Sequence, residues 1–111
     1  MPKTLFIAAF YICLVAIEFL ATTTIHIEVV ESVWDKANHF IAFFTLYILL
    51  TLAYKKLSLK VKVGLLILFG IQIEFVQSFI PGRYFSLLDV VADSIGILIG
   101  IVGYKLYKKL F

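Results

Sequence analysis

Apolar residues run along this chain in four stretches, about Leu5–Ala21, Phe40–Tyr54, Val63–Ile80 and Leu87–Tyr104, with short polar intervals between them. A crossing of a bilayer core about 30 Å thick takes roughly 17–25 helical residues. Three stretches meet that directly, and the second does so if its helix begins beside His39. The pattern predicts helices over 5–21, 38–54, 63–80 and 87–105. Strands are excluded, because four cannot close a barrel and lipid does not tolerate an open sheet edge. The polar positions inside the stretches fall at helical spacing. Gly70, Glu74 and Gln77 recur at i, i+4 and i+7, and so share one face. Asp89, Asp93, Gly96 and Gly100 do the same on the fourth stretch, and Asp35 and His39 lie four apart at the mouth of the second. From Thr22 to Trp34, Ile25, Ile27 and Val29 alternate with His26, Glu28 and Val30, which predicts an extended or interface-hugging connection.

Composition settles what solvent this pattern is written for. Of the 111 residues, 63% are hydrophobic and 15% charged, where soluble domains run near 45–50% and about 25%. So short a soluble chain cannot hide that much apolar surface. Disorder is excluded by the same excess, and a disulfide scaffold by the single cysteine, Cys13, inside an apolar run. The expected fold class is therefore all-α: one polytopic membrane domain over residues 1–111, four transmembrane helices in an up-down-up-down bundle. The first stretch lacks an A-x-A-like site and exceeds the usual signal-peptide core, so it is expected to be retained as a helix.

The net charge of +3 would be compatible with nucleic acid, but its distribution points to a membrane. With the N-terminus inside, Lys3, Lys55, Lys56, Lys60, Lys62, Lys105, Lys108 and Lys109 all fall on one side, and only Lys36 and Arg83 on the other. That is a positive-inside asymmetry, placing both termini in the cytoplasm. Tyr54, Tyr104 and Tyr107 then line the inner interface, and Trp34 and Tyr84 the outer one. The basic rim reads as a topology and anionic-lipid feature, and no nucleic-acid partner is expected.

All seven acids fall in the outer half of this arrangement. Ionisable groups inside membrane segments are costly and mark functional positions by default. Glu18, Asp35, Glu74, Asp89 and Asp93 carry five negative charges if all are ionised, against two positive ones from Lys36 and Arg83 and at most one from His39. Protons or a visiting cation must balance the remainder. Arg83 follows the Pro81-Gly82 turn, where it can reach down to a carboxylate and hold it bidentately. Plainer readings stand beside this one: Gly96 and Gly100 as a packing face for a neighbouring helix, Gln72 and Gln77 as interhelical hydrogen bonders, Glu18 snorkelling, Asp89 as an N-terminal helix charge. Ile17-Glu18-Phe19 recurs as Ile73-Glu74-Phe75, compatible with two parallel helical hairpins.

Asp35-Lys36-Ala37-Asn38-His39-Phe40, then Glu74-x-x-Gln77, then Pro81-Gly82-Arg83-x-x-Ser86-x-x-Asp89-x-x-x-Asp93-x-x-Gly96-x-x-x-Gly100 resemble the pattern of the VanZ-like family of small membrane proteins. The resemblance runs from Trp34 to Gly100 and is most specific in its second half. It departs at Asp93, where many relatives carry asparagine, and the first helix has no matching motif. The family's namesake is associated with resistance to the glycopeptide teicoplanin, and the resemblance implies no defined chemistry. The site residues it implies here are Asp35, Lys36, His39, Glu74, Gln77, Arg83, Ser86, Asp89 and Asp93.

Three functions remain open on the sequence. One is binding or handling an envelope lipid or lipid-linked cell-wall precursor, such as an anionic or polyprenyl-phosphate lipid, through an outward polar site. Another is an enzyme acting on such a lipid, with the carboxylates and His39 as general base or cation ligands. The third is structural: the polar cluster locks the bundle, or a homo-oligomer packed through Gly96 and Gly100. No cofactor is expected, and no metal-ligand spacing or phosphate loop is present in the sequence.

Overall fold

The computed structural model describes residues 3–22, 28–79, 85 and 87–111, and at 20–22 and 28–36 the backbone alone. Four helices account for nearly all of them: α1 (Lys3–Thr22), α2 (Glu28–Ala53), α3 (Leu59–Gln77) and α4 (Leu87–Leu110). No strand occurs among the described residues.

The helices outrun the apolar stretches for local reasons. α2 begins at Glu28, so Glu28–Trp34, expected to be extended, forms its first turns. This run holds neither glycine nor proline, and helix propagates at one hydrogen bond per residue once the apolar part has nucleated it. The stretch 23–27 lies outside the described residues. α3 starts at Leu59 because Ser58 caps it: the backbone there is extended and Oγ accepts from the Val61 amide at 3.3 Å. At its far end the Ser78 amide donates to the carbonyls of Glu74 and Phe75. α4 carries Asp89 in its first turn and Lys108 and Lys109 in its last, both complementary to the helix dipole.

Together they make a bundle 44 × 24 × 22 Å. α2 is its axis, packed most extensively on α4 and next on α1, while α3 lies against α4, α2 and α1. The core follows from periodicity. Phe43, Leu46, Tyr47 and Leu50 point inward from α2 and meet Leu66 and Ile73 of α3 and Ile97 of α4; α1 adds the buried Phe10, with Cys13, Leu14 and Ile17 packed partly buried against the core. Phe43 and Phe69 stack at a tilt with centroids 5.9 Å apart.

The α2–α4 contact depends on two glycines. A Cβ on Gly96 would run into the backbone carbonyl of Phe40, and one on Gly100 would sit 3.0 Å from the Tyr47 ring. The Gly96-x-x-x-Gly100 face thus seats α2 of the same chain, and that face is not open to a second copy.

The exterior is the reverse of a soluble domain's. Ile12, Val15, Phe19, Leu68, Phe75, Leu88 and Leu98 are all largely exposed, while Thr51, Lys62, Glu74, Gln77, Asp89 and Asp93 are buried. α4 is long and apolar enough to cross a membrane, and Ala37–Ala53 of α2 is a shorter apolar helix.

Candidate functional site

At one end of the bundle three helices bring four ionisable side chains together. His39 comes from α2, Glu74 from α3, and Asp89 and Asp93 from α4. Each is placed by helical register. Asp93 lies one turn before Ile97 on the buried stripe of α4, Glu74 adjoins the buried Ile73, and His39 sits one turn before the buried Phe43.

The tightest contact is His39 Nδ1 to Asp93 Oδ1, at 2.7 Å. With Asp93 ionised, its carboxylate only accepts, and Nδ1 then carries the hydrogen and donates. Nε2, on the other side of the ring, faces Asp89 Oδ2 at 3.6 Å and Glu74 Oε2 at 3.7 Å, both beyond ordinary hydrogen-bond length. The Glu74 and Asp93 side chains are fully buried, and those of His39 and Asp89 are 11% and 10% exposed. The cluster is thus closed beneath and reachable past His39 and Asp89.

The floor is shaped for Asp93. A Cβ on Gly70 would lie 2.6 Å from Asp93 Oδ2 and 3.4 Å from the Phe43 ring, so glycine at this position of α3 leaves the space the carboxylate occupies. That Oδ2 is buried with no hydrogen-bond partner among the described residues. A buried acceptor without a partner is costly in a folded protein, which sets this carboxylate apart from a simple packing residue.

The other expected site residues divide. Gln77 is buried one turn beyond Glu74 on the same face of α3. Asp35 and Lys36 lie in α2 one turn before His39, but their side chains are outside the described residues, as are Arg83 and Ser86 altogether. Glu18 accepts from Gln72 Nε2 at 2.9 Å on the α1–α3 flank. It borders an open apolar groove lined by Leu14, Val15, Phe19, Leu65, Leu68 and Phe69.

Two buried polar residues were not expected, Lys62 and Thr51. Lys62, read from the sequence as part of the basic rim, is buried; Nζ donates to Thr51 Oγ1 at 3.1 Å and lies 5.2 Å above the centre of the Tyr47 ring. Twelve residues separate it from Glu74, about 18 Å along the helix. The Gly70-Glu74-Gln77 spacing, continued back by fours through Leu66 to Lys62, carries this signal.

The family model described as VanZ/LLP1 matches residues 2–108. No curated protein and no solved structure matches the chain. The match spans nearly the whole sequence, well beyond Trp34–Gly100, and it takes in the first helix, which showed no motif of its own. The chain belongs to the VanZ/LLP1 family.

Proposed function

We propose that this VanZ/LLP1 protein is a multi-pass protein of the bacterial cytoplasmic membrane that binds, or helps to handle, the headgroup of an envelope lipid or lipid-linked precursor at the His39–Glu74–Asp89–Asp93 cluster. The observation that carries the reading is the inversion of polarity: fully buried carboxylates inside a bundle whose exterior is apolar. A large exposed apolar surface marks a membrane or partner contact, and ionisable groups held inside such a bundle face a cavity or a substrate path.

The up-down-up-down topology and cytoplasmic termini rest on the lysine asymmetry. It assigns Lys55, Lys56, Lys105, Lys108 and Lys109 to the cytoplasmic end and the histidine cluster to the outer one. Helices of 19 to 26 residues are about 28–39 Å long, which suits a bilayer. A phosphate-bearing headgroup at the outer end would be met by Arg83 and Lys36, arginine being the better bidentate partner. Its hydroxyl or amine groups would be met by the acids. The open groove beside Glu18 and Gln72 offers an apolar surface for an acyl or prenyl chain.

Native mass spectrometry of the purified protein beside Arg83→Ala tests this reading. The expected result is a phosphate-bearing lipid on the wild type that is lost from a folded Arg83→Ala. Equal lipid on both, or none on either, contradicts it.

A second reading has its own observation. The short His39–Asp93 bond joins α2 to α4, the most extensive helix pair, so the cluster also locks the bundle. If Glu74→Gln and Asp93→Asn both abolish folding while the wild type carries no lipid, the lock is the whole function.

A further inference from the structure

We propose that His39 Nε2, Glu74 and Asp89 form a three-ligand site for a divalent transition-metal ion, oriented by Asp93. The inference rests on the same cluster as the headgroup reading and names its inorganic partner.

Distances carry the argument. Two ligands about 2.1 Å from a tetrahedral ion lie about 3.4 Å apart. Nε2 lies 3.6 Å from Asp89 Oδ2 and 3.7 Å from Glu74 Oε2, and one ligand atom from each of the three residues falls within 4.8 Å of the others. The two separations from Nε2 are too long for hydrogen bonds and close to the edges of a coordination polyhedron.

The second observation lies on the other side of the ring. A metal-bound histidine almost always donates its second nitrogen to a carboxylate or carbonyl, which fixes the tautomer and aims the lone pair. His39 does this through Nδ1 to Asp93 Oδ1 at 2.7 Å. Asp93 is itself fully buried, and its Oδ2 is closed in against Gly70 with no hydrogen-bond partner among the described residues. A carboxylate in that place makes the imidazole the more basic ligand.

Charge points the same way. Glu74, Asp89 and Asp93 set three carboxylates around one imidazole in a buried cluster, a donor set that favours a cation. One nitrogen and two carboxylate oxygens suit borderline ions such as Zn²⁺ or Mn²⁺. Three protein ligands also leave a coordination position open. A headgroup phosphate oxygen can fill it, which reconciles an acidic site with an anionic lipid.

The test uses full-length protein in detergent, its purification tag removed, stripped with a chelator and given Zn²⁺ or Mn²⁺ alone, with no lipid added. Native mass spectrometry and titration calorimetry are expected to show one ion per chain, lost in His39→Ala and in Asp89→Asn. Asp93→Asn should keep the stoichiometry and bind 10- to 100-fold more weakly, as loss of an outer-shell partner does. Folded wild type that takes up neither ion overturns the inference, whatever the variants do. So does uptake that His39→Ala or Asp89→Asn leaves unchanged. Lipid retained by chelator-stripped protein that binds no metal sinks the metal site and leaves the headgroup reading standing. Stoichiometric metal with no lipid on any preparation does the opposite.

Discussion

Alanine at Gly96 should loosen the bundle and the cluster together. Its Cβ would meet the Phe40 carbonyl oxygen, with Phe40 C at 3.1 Å and Phe44 N at 3.2 Å. All three are backbone atoms of α2, so no rotamer change relieves the contact. Restoring ordinary van der Waals separation moves α4 away from α2 by about 1 Å. His39 adjoins Phe40 and Asp93 lies one turn before Gly96, so their 2.7 Å bond is stretched by the same motion, to about 3.7 Å, outside bonding range. Overpacking costs about 1–3 kcal/mol, and a charge-assisted hydrogen bond contributes about 1.5–3 kcal/mol. Alanine's better helix propensity returns about 1 kcal/mol. The net loss is about 1.5–5 kcal/mol, a fall in melting temperature of at least about 5 °C for a domain of this size. Thermal unfolding in detergent, followed by size exclusion, measures it. Gly64→Ala is the control, since its added Cβ meets nothing within 4 Å and should leave the melting temperature unchanged or raise it. A Gly96→Ala protein that melts no lower than Gly64→Ala would refute the close approach of α2 and α4.

Three further outcomes are expected. Gly70→Ala places a Cβ 2.6 Å from Asp93 Oδ2, a side-chain atom that can swing aside; stability should fall by only about 1 kcal/mol, while binding at the cluster, read by native mass spectrometry, falls much further. Thr51→Val removes the acceptor of the buried Lys62 ammonium and should cost about 1–3 kcal/mol in thermal unfolding, without changing lipid retention. A double-mutant cycle between His39→Ala and Asp93→Ala should return a coupling of about 1 kcal/mol or more, whereas Glu18→Ala with Asp93→Ala should be additive within about 0.5 kcal/mol.

Much of the buried face was legible because a helix repeats its direction every three to four residues. Gly70, Glu74 and Gln77 were placed on one face by spacing alone, as were Asp89, Asp93, Gly96 and Gly100, and these are the stripes the fold buries. The partner of each stripe was not legible. Spacing along one helix says nothing of which helix it meets, so Glu18, read with the other acids in the outer half, hydrogen-bonds Gln72 on the α1–α3 flank. Gly96 could not be assigned to α2 beforehand for the same reason. The possible metal ligands were invisible as a motif because they come from three helices, with no short spacing to read. The burial of Lys62 was not legible, because its contacts with Thr51 and Tyr47 arise only from the fold. The alternation after Thr22 misled because Ile and Val fit strand and helix alike, and the helix growing from Ala37–Ala53 decided the matter for Glu28–Trp34.

The account's central claim is that the buried cluster is a working site and not only a lock. Glu74→Gln tests it most directly, because it changes the charge of a fully buried side chain with little change in shape. Phosphatidylglycerol, whose headgroup carries hydroxyls beside its phosphate, would be titrated into wild type and variant in nanodiscs of zwitterionic lipid, with the melting temperature of each sample measured alongside. The account expects a folded variant that melts near the wild type and binds at least about tenfold more weakly, a difference of about 1.4 kcal/mol. Equal binding by the two, or no binding by a folded wild type, would contradict it.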